Sequence, residues 1–104
     1  SKLNLNSWYV RIKKSGHQSS HIHQSGWVSG VLYLKTIENP LDNEGAIKFG
    51  LKGYDYPVSK KNYPTRIYQP NPGDLVLFPS SLFHETIPVI KDTERCVIAF
   101  DLVP

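Results

Sequence analysis

Short runs rich in Val, Ile, Leu, Tyr and Phe recur along the chain between clusters of turn-forming residues, and nowhere do apolar residues repeat convincingly at i, i+3, i+4. That pattern argues against helices and directs the chain toward sheets. The candidate strands are Ser7 to Lys13, His21 to Gln24, Trp27 to Lys35, Ala46 to Leu51, Thr65 to Tyr68, Asp74 to Phe78, Phe83 to Val89 and Glu94 to Val103. Asn39-Pro40, Asp42-Asn43-Glu44-Gly45, Pro70-Asn71-Pro72-Gly73 and Lys91-Asp92-Thr93 supply the turns, because Pro presets φ and Gly accepts a positive φ. Eight short strands predict an all-β fold of two antiparallel sheets, a jelly roll. The longest loop, Tyr54 to Pro64, carries Tyr54, Tyr56 and Tyr63 around two lysines, and reads either as a plain surface loop or as a flap over a site.

At 104 residues, 39% of them hydrophobic, the chain is large enough for one domain with a real core and too small for two. It begins abruptly, with strand-like residues in the first ten, so we expect a domain cut from a longer protein. No apolar run approaches the roughly 20 residues of a membrane span, and nothing at the start reads as a signal peptide, so the expected compartment is the cytoplasm. A single cysteine, Cys96, excludes an internal disulfide scaffold and fits a reducing environment. The net charge of +3 is dispersed, with Lys13-Lys14 and Lys60-Lys61 the only adjacent basic pairs. Such scatter does not build a nucleic-acid groove, although it favours approach of a small anionic substrate.

The chemistry-bearing residues are concentrated in a few places. In "HIHQSGWVSGVLYL", His21 and His23 stand at i and i+2 of a candidate strand, where both imidazoles can reach one point. A third ligand has to come from elsewhere, and His84, following "GDLVLFPSSLF", lies on a strand that can return to the opposite side of a barrel. Three histidines from two strands would suit a first-row metal. Arg95 opens the apolar run "CVIAFDLV"; alternation puts Arg95, Val97, Ala99 and Asp101 on one face and Cys96, Ile98, Phe100 and Leu102 on the other. A guanidinium entering a β-core needs an anion; Arg95 either snorkels to solvent from the strand start, pairs with Glu94 or Asp92 there, or holds a bound carboxylate.

The order H-x-H, "SGVLYL", "PNPGDLVLFPSSLFH", then Arg before "VIAFDL" closely resembles the iron(II)- and 2-oxoglutarate-dependent oxygenases of bacteria and their phages, relatives of the prolyl hydroxylases. The resemblance runs from about Ser7 to Leu102 and includes "NSW" at Asn6 to Trp8. It implies a cupin-like double-stranded β-helix that takes Fe(II) and 2-oxoglutarate. Carried over, it makes His21 and His84 iron ligands, has Arg95 grip the far carboxylate of 2-oxoglutarate, and sets Tyr33 to hydrogen-bond that carboxylate. The wider superfamily carries H-x-D where this chain has His23, so His23 is either a true third ligand or a position replaced by solvent or by Glu85, with His17 as a fallback.

An apolar pocket beside the metal could be lined by Trp27, Val31, Val76, Phe78, Val97 and Ala99. Three readings follow: a keto-acid-dependent dioxygenase acting on an unidentified small molecule or peptide, a three-histidine cupin dioxygenase that needs no keto acid, and a non-catalytic binding module on the same fold. The Cys96, Ile98, Phe100, Leu102 face is expected to require cover, from another segment or from a second copy in a homodimer.

Overall fold

Every regular element among the described residues is a β-strand. The structure, a computed structural model, describes residues 3–14, 16, 18–21, 26–50 and 65–104. The strands are β1 (Asn4–Lys13), β2 (Gln18–His21), β3 (Val28–Lys35), β4 (Ile47–Gly50), β5 (Arg66–Tyr68), β6 (Leu75–Pro79), β7 (Phe83–Thr86) and β8 (Glu94–Val103). They form two antiparallel four-stranded sheets, ordered β1-β8-β3-β6 and β2-β7-β4-β5. This is the expected jelly roll.

Alternation along the strands decides which residues enter the space between the sheets. Val31 and Tyr33 from β3, Phe78 from β6, Val97 from β8 and Ile47 from β4 form the main core cluster, with Val10, Phe49 and Val76 packed against it. Burying a side chain of this size stabilises by roughly 1.5–3 kcal/mol, so these few residues carry much of the adhesion between the sheets. A satellite cluster of Ile12, Ile37 and Val89 closes one end.

The turns follow the chemistry that was legible in the chain. Gly73 sits at φ 88° in the turn before β6, and its N–H donates to the Tyr33 carbonyl at 2.7 Å. Asn39, Asp42, Asn43 and Gly45 all take positive φ in the segment before β4. Strand limits shift from expectation for local reasons. β1 starts at Asn4 because its register with β8 continues to Asn4↔Val103. β7 stops at Thr86, two residues before Pro88, which has no N–H to donate. Of the strand expected at His21 to Gln24, His21 ends β2 (Gln18–His21), and 22–24 lie outside the described residues, as does Tyr54 to Pro64.

Candidate active site

β7 runs between β2 and β4 in the second sheet, and the register sets His84 opposite His21 on one side and opposite Phe49 on the other. The register thus places two of the histidines expected to bind metal at directly opposed positions of neighbouring strands. His84 is buried, and its ring lies 4.7 Å from that of Phe78. Its Nδ1 is 3.1 Å from the Leu82 carbonyl. A carbonyl only accepts, so in the neutral ring Nδ1 carries the proton and Nε2 the lone pair, which is the tautomer a metal ligand needs. His23 and His17 lie outside the described residues. Glu85, the alternative third ligand, is corrected: one residue on from His84 it takes the opposite face, where it faces Lys48 at 3.8 Å.

Arg95 lies across the interior on β8. It is 3% exposed, and its Nε and Nη1 have no hydrogen-bond partner among the described residues. Neither Glu94 nor Asp92 supplies the anion: Glu94 faces the other way and pairs with Arg11 and, at 3.7 Å, with Lys35. The guanidinium carbon sits 5.5 Å from the centre of the Tyr33 ring, whose fully buried hydroxyl is also without a partner among the described residues. Burial lowers the Arg95 pKa, partly opposed by the Tyr33 hydroxyl nearby, and burial raises that of Tyr33, partly opposed by Arg95. An arginine stays charged even so. The β3–β8 register slips between Tyr33 and Lys35, an irregularity that re-aims the chain beside this pair.

His84 and Arg95 open onto one cavity between the sheets, walled by Val31, Phe78, Val97 and Ala99 and also by Trp8, Ser29, Ile47 and Thr86. Ile47 and Thr86 were missed, although the signal was present: Thr86 stands two residues beyond His84 and shares its face. Trp27 is corrected. It precedes β3, is 59% exposed and forms no part of the wall, because its N–H and carbonyl are engaged with Leu102 and Ser80 at the sheet end. Val76 packs against the core cluster rather than lining the cavity.

The class follows from the fold: a double-stranded β-helix holding imidazole and guanidinium groups in one interior space. Residues 6–101 match the family described as "Putative 2OG-Fe(II) oxygenase", and the chain belongs to that family, whose cofactors are iron(II) and 2-oxoglutarate. Among solved structures it is similar to a prolyl-4-hydroxylase from Pseudomonas putida, at 20% identity and TM-score 0.73, covering 96% of this chain and 51% of that one. HygX from Streptomyces hygroscopicus with nickel and 2-oxoglutarate bound is 16% identical, TM-score 0.74, with 98% and 56% covered. A cupin domain from Bordetella pertussis Tohama I matches at 14% identity and TM-score 0.53, over 100% of this chain and 84% of that one. The chain thus spans about half the length of the oxygenase structures it resembles. No curated protein matches it.

Proposed function

We propose that this domain is an Fe(II)- and 2-oxoglutarate-dependent dioxygenase that hydroxylates an organic substrate while releasing succinate and CO2. The observation that carries the reading is Arg95, a buried guanidinium with two nitrogens that have no partner among the described residues, beside the Tyr33 hydroxyl, which has none among them either. Burying a cation without an anion is costly, and a bound carboxylate offsets that cost through a planar two-pronged hydrogen bond. The residues therefore fit the distal carboxylate of a keto diacid. His21, His84 and His23 would hold the metal, and Arg95 and Tyr33 the C5 carboxylate. Together, when bound, the two cofactors supply the oxidising power: one atom of O2 goes to the substrate as hydroxyl and the other to succinate as the keto acid loses CO2. Arg95 binds and orients, Tyr33 donates its hydroxyl proton in a hydrogen bond, the Leu82 carbonyl holds the His84 tautomer, and Val31, Phe78, Val97 and Ala99 exclude water.

A cytoplasmic location belongs to this reading: Cys96 is a free, buried thiol, and no helix among the described residues is long and apolar enough to cross a membrane.

The test is anaerobic calorimetric titration of 2-oxoglutarate into the Mn(II)-loaded protein. Arg95→Ala should weaken binding by about 2–5 kcal/mol, roughly 30-fold or more, while metal affinity holds. Arg95→Lys should rescue little, because one ammonium does not reproduce the fork. Unchanged affinity in Arg95→Ala would remove the keto acid from the mechanism and favour the three-histidine cupin reading.

A further inference from the structure

Glu44 is a carboxylate with no exposed surface, placed in the turn that the sequence "DNEG" signals. Its Oε2 accepts the Leu41 N–H at 2.7 Å, and its Oε1 accepts those of Ile90 at 2.9 Å and Lys91 at 2.8 Å. Lys91 Nζ lies 3.8 Å from Oε2 and donates to the carbonyls of Glu38 and Asn39. A buried carboxylate is tolerated only when its lone pairs are satisfied, and here backbone donors from two separate segments satisfy them.

Those segments matter to the site. Residues 87–93 connect β7, which carries His84, to β8, which carries Arg95, and the two strands belong to different sheets with no ladder between them. The connection is tied by Ile87 N–H to Ala46 O at 2.9 Å, by Gly45 N–H to Ile87 O at 2.9 Å, and in its middle by the two bonds to Glu44. The residue after Glu44 lies beside the other partner of the site: a Cβ added to Gly45 would stand 3.7 Å from Arg95 Cδ. The Glu44 carbonyl also accepts Gln69 Nε2 at 3.1 Å, which anchors the same turn to the end of β5.

We propose that Glu44 is a positioning residue that fixes the span between the His84 strand and the Arg95 guanidinium, and thereby sets the length of keto diacid the cavity accepts. This rests on the reading of Arg95 as the carboxylate receptor. A chelated keto acid is held at both ends, so its length must match that span. An anchor displaced by a fraction of an ångström loses the shorter, well-fitting diacid more than a longer one. Glu44→Gln replaces one acceptor oxygen by an NH2 and removes the charge, so three backbone N–H groups and the Lys91 ammonium are left with one neutral oxygen, and the tie to residues 87–93 weakens without removing bulk.

The experiment titrates 2-oxoglutarate and its one-carbon-longer homologue 2-oxoadipate into Mn(II)-loaded wild type and Glu44→Gln, anaerobically and well below both melting temperatures. We expect about a 10-fold loss of 2-oxoglutarate affinity, a smaller loss for 2-oxoadipate, and an unchanged affinity for Mn(II). A folded Glu44→Gln with the wild-type ratio of the two affinities overturns the proposal, because a purely structural role lowers melting temperature and leaves that ratio alone. Should Glu44→Gln not fold, Glu44→Asp gives the same readout, since it keeps the charge and draws the carboxylate back by one methylene from the Ile90 and Lys91 N–H groups; an altered ratio supports the proposal and an unaltered one overturns it. If wild type itself binds neither diacid, the receptor reading of Arg95 falls and this proposal with it, a result distinct from failure at Glu44 alone.

Discussion

Tyr33 and Arg95 carry opposite signs for folding and for binding. The Tyr33 hydroxyl has no partner among the described residues, and an unsatisfied buried hydroxyl costs about 1–3 kcal/mol, so Tyr33→Phe should leave the ligand-free protein as stable as wild type or more so. The same change should weaken 2-oxoglutarate binding by about 1.5–3 kcal/mol, the worth of a hydrogen bond to a charged group. Thermal melts and titrations on one preparation check both signs, and a tyrosine serving only as core would lose stability and leave binding unmoved. Glu44 adds a pH dependence. Burial raises its pKa, but the backbone donors and Lys91 outweigh burial and lower it below the ordinary 4.5. A carboxyl depressed in the folded state contributes stability that is present above its unfolded pKa and lost as pH falls through its folded one. Melting temperature against pH should therefore drop more steeply below about pH 4.5 in wild type than in Glu44→Gln, and parallel curves would show that Glu44 does not titrate with unfolding.

Among the strands, β3 is flanked by β8 and β6 and tolerates little change. Gly30 faces Phe100 across the ladder, and a Cβ there would stand 2.2 Å from the Phe100 ring. Gly30→Val should cost about 1–3 kcal/mol by melting, and Phe100→Ala in the same chain should recover part of it, giving a clear coupling energy in a double-mutant cycle. The strands themselves were legible because a period of two and the Gly, Pro and Asn punctuation are local signals. Arg95 could be assigned to the inner face by alternation alone, and its lack of an anion among the described residues could not, because that depends on where neighbours such as Glu94 turn. The facing of His21 and His84 was equally illegible, since it is a register between strands more than sixty residues apart. Glu44 left no trace in the pattern: its partners at Ile90 and Lys91 are backbone groups, which every residue possesses. Trp27 misled because alternation was extended one residue past the end of the strand.

Across the whole molecule, the face of the first sheet turned away from the cavity is broadly apolar. Leu5, Tyr9, Leu75 and Leu77 are 62%, 59%, 55% and 58% exposed, and Ile98, Phe100 and Leu102 are half-buried among them, with Cys96 buried at one end. Such a surface associates in water. In sedimentation velocity the 104-residue chain should show concentration-dependent association, which Leu75→Lys with Leu77→Lys suppresses without lowering melting temperature; a monodisperse wild type would mean the face is protected. The pairing of β1 with β8 has a different kind of consequence. On a ribosome β1 emerges before the other described strands and its partner β8 after them, so the first sheet completes only once β8 has cleared the exit tunnel. Folding is therefore expected to be slow and late, as for other topologies dominated by distant contacts, and nascent chains stalled before Glu94 should remain protease-sensitive while those stalled well beyond Val103 resist.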